Sequence, residues 1–254
     1  MDAAQTYDEL AEHYHLIYQN WQASIQRQAA VLDSLLRQRC GISPPARLLD
    51  CACGIGTQSL GLARLGYQVT GCDVSSGAIE RARAEAAARN LNINFLRADM
   101  LALQEVGPPP FEAVLCIDNA LPHLQDDAQL MQAARQIRSR LVAGGWLIAS
   151  IRDYDRLVQE HTVMQAPAFY RDGDRQRIVF QLWQWLDSRR YIFHLYITRE
   201  TDHGWQTFHT AGAYRAILQQ ELSATLRQAG FTNVRWLAQD ESGFYQPIVI
   251  AQAG

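Results

Sequence analysis

Arg47-Leu48-Leu49-Asp50-Cys51-Ala52-Cys53-Gly54-Ile55-Gly56-Thr57 joins a short apolar strand to a glycine-punctuated turn. Gly54 and Gly56 let the backbone bend sharply and come close to a ligand, where a side chain would intrude. Seventeen residues beyond Gly56, Asp73 closes a second apolar run, Gln68-Val69-Thr70-Gly71-Cys72. In an open α/β sheet, a carboxylate at the tip of the second strand is placed to hold the two hydroxyls of a ribose. The stretch reads as a nucleoside-binding strand–helix–strand unit. Which nucleoside it binds is the next question.

A dinucleotide site wants a third Gly or Ala three residues after the second glycine, where a helix N-terminus faces a pyrophosphate. Ser59 holds that position, and Asp50 would repel a pyrophosphate, which disfavours a nicotinamide dehydrogenase. A carboxylate there suits a ligand with a positive end, and S-adenosylmethionine carries both a sulfonium and an ammonium. Further on, Ile93-Asn94-Phe95-Leu96-Arg97 reads as a third strand followed by Ala98-Asp99-Met100. Asp99 can accept a hydrogen bond from an adenine amino group while the next backbone N–H faces the ring. This three-point pattern, over roughly residues 46–150, resembles the class I S-adenosylmethionine-dependent methyltransferases. The resemblance implies an enzyme with S-adenosyl-L-methionine as cofactor. It places Asp50, Ala52, Gly54, Gly56, Asp73, Val74, Asp99 and Met100 around that cofactor.

The 254 residues, 48% of them hydrophobic, suffice for one large α/β core with a small appendage. The net charge of −3 gives no electrostatic footprint for nucleic acid, and the basic residues are all arginine. No run of 18 apolar residues is present, and the N-terminus lacks the features of a signal peptide, so a cytoplasmic location is expected. Five cysteines without a CxxC pair read as reduced, apolar packers rather than disulfides or a zinc site, and no metal is expected.

Residues 5–39 read as two helices from their 3–4 spacing of apolar residues, and Ser43-Pro44-Pro45 breaks the pattern. Strands at 47–52, 68–72, 93–97, 112–118 and 145–151 then alternate with helices at 57–65, 76–90 and 126–141. A rigid loop, Gly107-Pro108-Pro109-Pro110, precedes the fourth strand. Residues 176–186, 190–200 and 204–212 read as a three-stranded antiparallel insert, followed by a helix at 214–228 and strands near 232–238 and 244–252. The expected fold is α/β: a Rossmann-like, seven-stranded, mostly parallel sheet with helices on both faces. Expected units are an N-terminal helical lid (1–45), a cofactor-binding core (46–152), an antiparallel β insert serving as substrate lid (153–213) and core-completing elements (214–254).

Ile117-Asp118-Asn119-Ala120-Leu121-Pro122-His123, leaving the fourth strand, is similar to the matching segment of glycine N-methyltransferase and its relatives. On that resemblance the Ile117 backbone touches the methionine part of the cofactor, while Asn119 and His123 line the active site. Ser150-Ile151-Arg152-Asp153-Tyr154-Asp155 resembles that group's segment whose arginine holds the substrate carboxylate, which gives Arg152 that role. A guanidinium suits it, gripping a carboxylate through two parallel hydrogen bonds. Trp21 and Arg27, from the N-terminal helices, would close over the cofactor. Asp118 departs from the group, standing where its members carry glycine. Aromatics of the insert and tail, among them Tyr170, Trp183, Trp185, Tyr196 and Tyr245, together with His209, are candidates for the pocket wall.

The sequence thus points to methyl transfer onto a small molecule, on a glycine- or sarcosine-like amine nitrogen. The alternatives are a small-molecule O-methyltransferase, including a metal-dependent one, and a non-catalytic S-adenosylmethionine-binding module. Nucleic acid and membrane partners are not expected, and oligomeric state is left open.

Overall fold

The structure, a computed structural model, describes residues 3–107 and 110–254. Pro108 and Pro109 of the expected rigid loop lie outside the described residues. Helix α1 (Ala3–Leu10) passes through a 3-10 turn (Tyr14–Ile17) to α2 (Trp21–Cys40). The Asn20 side chain caps α2 by accepting from the Ala23 N–H at 2.9 Å, and Gly41 ends it at φ 70°.

Strand and helix then alternate: β1 (Arg47–Cys51), α3 (Thr57–Arg64), β2 (Gln68–Asp73), α4 (Ser76–Ala88), β3 (Asn94–Arg97), β4 (Phe111–Cys116), α5 (Asp127–Ser139) and β5 (Leu141–Ser150). After α6 (Tyr154–Gln159) come β6 (Met164–Asp172), β7 (Arg175–Trp185), β8 (Arg190–Thr201) and β9 (Gly204–Arg215). The chain ends with α7 (Gln219–Gln228), β10 (Phe231–Leu237), α8 (Gln239–Ser242) and β11 (Ile248–Ala253).

The main sheet has the order β10-β11-β5-β4-β1-β2-β3, and β11 runs antiparallel to both neighbours. Successive strand residues point to opposite faces, so Leu48 and Leu49 serve two cores. Leu48 packs with Leu32 and Leu36 of α2 and Leu62 of α3. Leu49 joins Leu130 and Ile137 of α5 and Leu226 of α7. Helices on both faces of a mostly parallel sheet are the expected architecture.

The insert differs from expectation. It is a separate four-stranded antiparallel sheet, β6-β7-β8-β9, not three-stranded. The additional strand, β6, is an edge strand with no buried residue, Pro167 in its middle and a register irregularity beside that proline. The last stretch of the insert also runs on through Tyr214 and Arg215 as strand, so α7 starts at Gln219 rather than near 214. Residues 244–247 form a turn, and the final strand begins at Ile248.

Three ties fasten the N-terminal segment across this frame. Thr6 Oγ1 donates to the Ala211 carbonyl of β9 at 2.9 Å, while Asp8 accepts from Ser75 Oγ at 2.6 Å and Gly77 N at 2.8 Å, at the start of α4. These bonds hold the Asp8 carboxyl below its usual range. Buried Arg177 of β7 pairs with Asp172 and donates to the carbonyls of Leu16 and Tyr18. Among the described residues no helix is long and apolar enough to cross a membrane.

Candidate active site

Strand β1 delivers the chain into a loop that no ordinary turn could make. Ala52, Gly54 and Gly56 have φ of 65°, 53° and 89°. A Cβ on Gly56 would sit 3.2 Å from the Phe95 ring, whereas a Cβ on Gly54 would meet no atom within 4 Å. Gly54 therefore borders open space, a cleft of about 580 Å³ at the carboxyl ends of the strands. Asp73, Val74, Asp99, Met100, Ile117 and Asp118 line it too.

Asp73, ending β2, accepts from Gly54 N through one oxygen and Ser75 N through the other, both at 2.9 Å. Burial raises its carboxyl while these N–H groups pull it back, so the loop and the carboxylate fix each other. Asp99 is exposed on the cleft wall and accepts from Leu101 N at 2.8 Å.

Asp50 does not line the cleft. It is buried beneath the loop and accepts from Ser59 Oγ at 2.5 Å. The Ser59 that breaks the dinucleotide pattern is thus its partner. Burial lifts the Asp50 carboxyl from 3.8 to about 7, so the fold favours its neutral form. Its contribution to stability is present at low pH and is lost as pH rises from 3.8 towards 7. Without cofactor, the stability of the parent relative to Asp50→Asn should fall by about 3 kcal/mol between pH 5 and pH 8. Denaturant titrations of both proteins at the two pH values check this, and parallel curves would discard it.

A second cavity, of about 500 Å³, adjoins the cleft. Tyr7, Tyr14 and Asp118 are walls of both. Asp118 has φ 61° and Asn119 φ 68°, left-handed backbone that explains glycine at the first position in the similar group. The Asp118 carboxylate accepts from Gln58 Nε2 at 2.9 Å, from the Tyr18 hydroxyl at 3.2 Å and from the Tyr245 hydroxyl. All three donors are neutral. Burial raises the Asp118 carboxyl, and the donors counter that rise.

Asn119 is consumed by structure. Its Nδ2 donates to the Tyr154 hydroxyl at 3.0 Å and its Oδ1 accepts from Arg152 N at 3.0 Å. It orients the segment after β5 instead of offering a free amide. Arg152 points into the second cavity, where Nη1 donates to Tyr191 and Nη2 to Gln181 Oε1, at 3.0 and 2.9 Å. Its guanidinium also lies over the rings of Trp183 and Tyr214, 4.9 and 5.3 Å from their centroids. Among the described residues these partners are all neutral. His123 lines the cleft, its Nε2 3.1 Å from the Tyr7 hydroxyl, which is in turn 3.2 Å from that of Tyr214. Burial lowers the His123 pKa to about 4, so the ring is neutral at pH 7.

The two expected lid residues do not reach the cleft. Trp21 is buried behind the loop, donating to Thr57 Oγ1 at 2.9 Å. Arg27 lines the second cavity and donates to Ser24 Oγ at 3.1 Å. Of the insert candidates, Trp183 and Trp185 pack on Tyr191, while Tyr196 and His209 stack on each other and Tyr170 lies beneath Arg177. Gln58, Tyr7 and Tyr14 are site residues that the motifs did not indicate. Asp118 and Asn119 are not completed into a metal site, since among the described residues no three His, Cys, Asp or Glu side chains cluster suitably.

A glycine loop answered by a carboxylate at the next strand tip, in a seven-stranded sheet with one antiparallel strand, defines a class I S-adenosylmethionine-dependent methyltransferase fold. Residues 48–145 match the family described as a methyltransferase domain. It is 32% identical over 141 residues to glycine N-methyltransferase of Oryctolagus cuniculus, covering 50% of this chain and 48% of that protein. It is 35% identical over 105 residues to ubiquinone biosynthesis O-methyltransferase of Alkalilimnicola ehrlichii, covering 41% and 40%. The chain thus spans about half the length, or less, of these curated relatives. The solved structure of CalS10, an amino pentose methyltransferase from Micromonospora echinaspora, shares the fold over 96% of this chain and 95% of its own. That likeness has a TM-score of 0.75 at 19% identity.

Proposed function

We propose that the protein moves a methyl group from S-adenosylmethionine to the amine nitrogen of a small acceptor. The observation that carries this reading is the Asp118 carboxylate, set between cleft and second cavity and, among the described residues, satisfied only by neutral donors. An acceptor ammonium supplies the missing positive charge.

The cleft suits the cofactor part by part. Asp73 would take the ribose hydroxyls, Asp99 the adenine amino group, Gly54 and Ile117 the methionine end. When bound, S-adenosylmethionine supplies a methyl already activated by its sulfonium, so the protein's task is alignment, exclusion of water and handling of one proton. Tyr7 and Tyr14 close the junction of the two compartments. Asp118 first binds the acceptor ammonium and then takes its proton, freeing the nitrogen lone pair. Arg152, half-buried and, among the described residues, held by neutral partners, would grip an acceptor carboxylate, which favours a glycine- or sarcosine-like reacting end. His123, with its pKa near 4, is a weak base and serves to orient Tyr7.

Release of S-adenosylhomocysteine, measured with S-adenosylmethionine and pools of amines, amino acids, alcohols and phenols, tests this reading. Turnover of carboxylate-bearing amines that vanishes in Arg152→Ala is the expected result. Turnover confined to amines without a carboxylate discards the Arg152 role. Turnover confined to hydroxyl acceptors discards the amine in favour of oxygen, a reading supported by the O-methyltransferase relative.

A further inference from the structure

The second cavity does not end at Arg152. A third hollow, of about 890 Å³, shares Arg152, Gln165, Gln239, Tyr245 and Gln246 with it. Its wall is amphipathic: Trp236 and Met164 provide apolar surface, with Trp183 and Leu157 almost fully buried in it, and Arg156 and Glu160 provide charge. Met164, on the edge strand, is 48% exposed, and Tyr245 is 52% exposed although its hydroxyl reaches Asp118. An exposed methionine, a half-exposed tyrosine and the partly exposed Trp236 indole form a surface suited to a flat apolar group.

The sizes leave room for an acceptor much larger than glycine. Cavities of roughly 300–1,000 Å³ hold ligands of drug size. The second cavity alone falls in that range at about 500 Å³, and the hollow beyond it is larger. A five-heavy-atom acceptor would leave the walls beyond Arg152 without contact.

We infer that the acceptor is an extended amphipathic amine, with its nitrogen at Asp118, an anionic group at Arg152 and an apolar, ring-bearing body in the outer hollow between Trp236 and Met164. This rests on the amine reading above and adds the size and chemistry of the rest of the molecule. The hollow then acts as the specificity site: it recognises the part of the acceptor that does not react.

The test uses glycine, phenylalanine, tryptophan and glycyl-tryptophan, which share an amine and a carboxylate and differ in their bodies. S-adenosylhomocysteine release is measured for each, and binding is measured separately by calorimetry with S-adenosylhomocysteine present. Affinity and kcat/KM should rise about tenfold or more from glycine to the indole-bearing members. Trp236→Ala and Met164→Ser should each cancel most of that gain through KM, leaving the glycine values unchanged. Met164 is exposed, so its variant guards against a folding defect in the other. A flat series, or variants that affect glycine and glycyl-tryptophan alike, would overturn the inference. Absence of turnover with every amine would discard the amine reading, and binding would still decide the hollow. Size-dependent binding cancelled by Met164→Ser keeps it, and binding without size dependence, or none at all, removes it.

Discussion

Asp118→Asn is expected to lower kcat/KM for amine acceptors by roughly 10²–10⁴-fold, the range associated with a positioned acid–base group. The replacement is nearly isosteric, and Asn tolerates left-handed backbone well, so the φ of 61° is kept without new strain. What changes is charge. The carboxamide has no negative charge for an ammonium and cannot take its proton. The variant's rate should recover as pH rises, because a growing share of the acceptor is then already neutral. Cofactor affinity, which the proposed function assigns mainly to the Gly54–Asp73 side of the cleft, should stay within a fewfold. A pH profile of kcat/KM alongside cofactor binding measures both. An unchanged rate at pH 7 would remove Asp118 from the chemistry.

Gly61→Val is expected to cost about 3 kcal/mol or more of stability. Gly61 lies in α3, and a Cβ there would stand 2.5 Å from the Ala29 Cβ and 2.8 Å from the Ile25 carbonyl oxygen of α2. Two effects oppose each other. Leaving glycine in a helix interior gains up to roughly 1 kcal/mol in propensity, less for a β-branched residue. Overpacking against backbone typically costs about 1–3 kcal/mol and more where the neighbour cannot yield, and Ile25 O belongs to a buried helix. The clash wins. For a chain of this size the loss corresponds to a fall in Tm of roughly 6–12 °C, readable by calorimetry. α3 also carries Gln58 and Ser59, partners of Asp118 and Asp50, so the damage extends to the site. A Tm within 2 °C or so of the parent's would mean that the two helices can separate freely.

The glycine-loop side of the cleft is legible in the sequence because it is local. Gly54, Gly56, Asp73 and Asp99 owe their positions to the ends of consecutive strands, and strand ends are marked by apolar runs and turns. The acceptor side was legible only in part. Arg152 lines the second cavity, but its stacking between Trp183 and Tyr214 has no sequence signature. The Asn119 amide is spent on Tyr154 and the Arg152 backbone, which a motif match does not disclose. Trp21 was expected at the cofactor, yet its indole caps a hydrogen bond to Thr57 on the far side of the loop. Strand β6 carries no sequence signature because its Pro167 and its lack of buried residues hide the alternation of a buried strand. Gln58, Tyr7 and Tyr14 joined the site through tertiary contacts alone.

The hydrogen bonds around the acceptor are unusually non-local. Tyr18 and Tyr245 reach Asp118 across 100 and 127 positions, and Tyr7 reaches Tyr214 across 207, whereas Gly54 and Asp73 are only 19 apart. Contacts of such sequence separation carry the largest loop-closure cost and form after the local ones. The two halves of the site therefore differ in cooperativity. Partial unfolding of the N-terminal segment would dismantle the acceptor end while the β1–α3–β2 unit stays closed. Amide hydrogen exchange should accordingly report faster opening at residues 7–18 than at residues 48–51. On the proposed function, a chain that has lost methyl transfer through mild destabilisation would still hold its nucleoside.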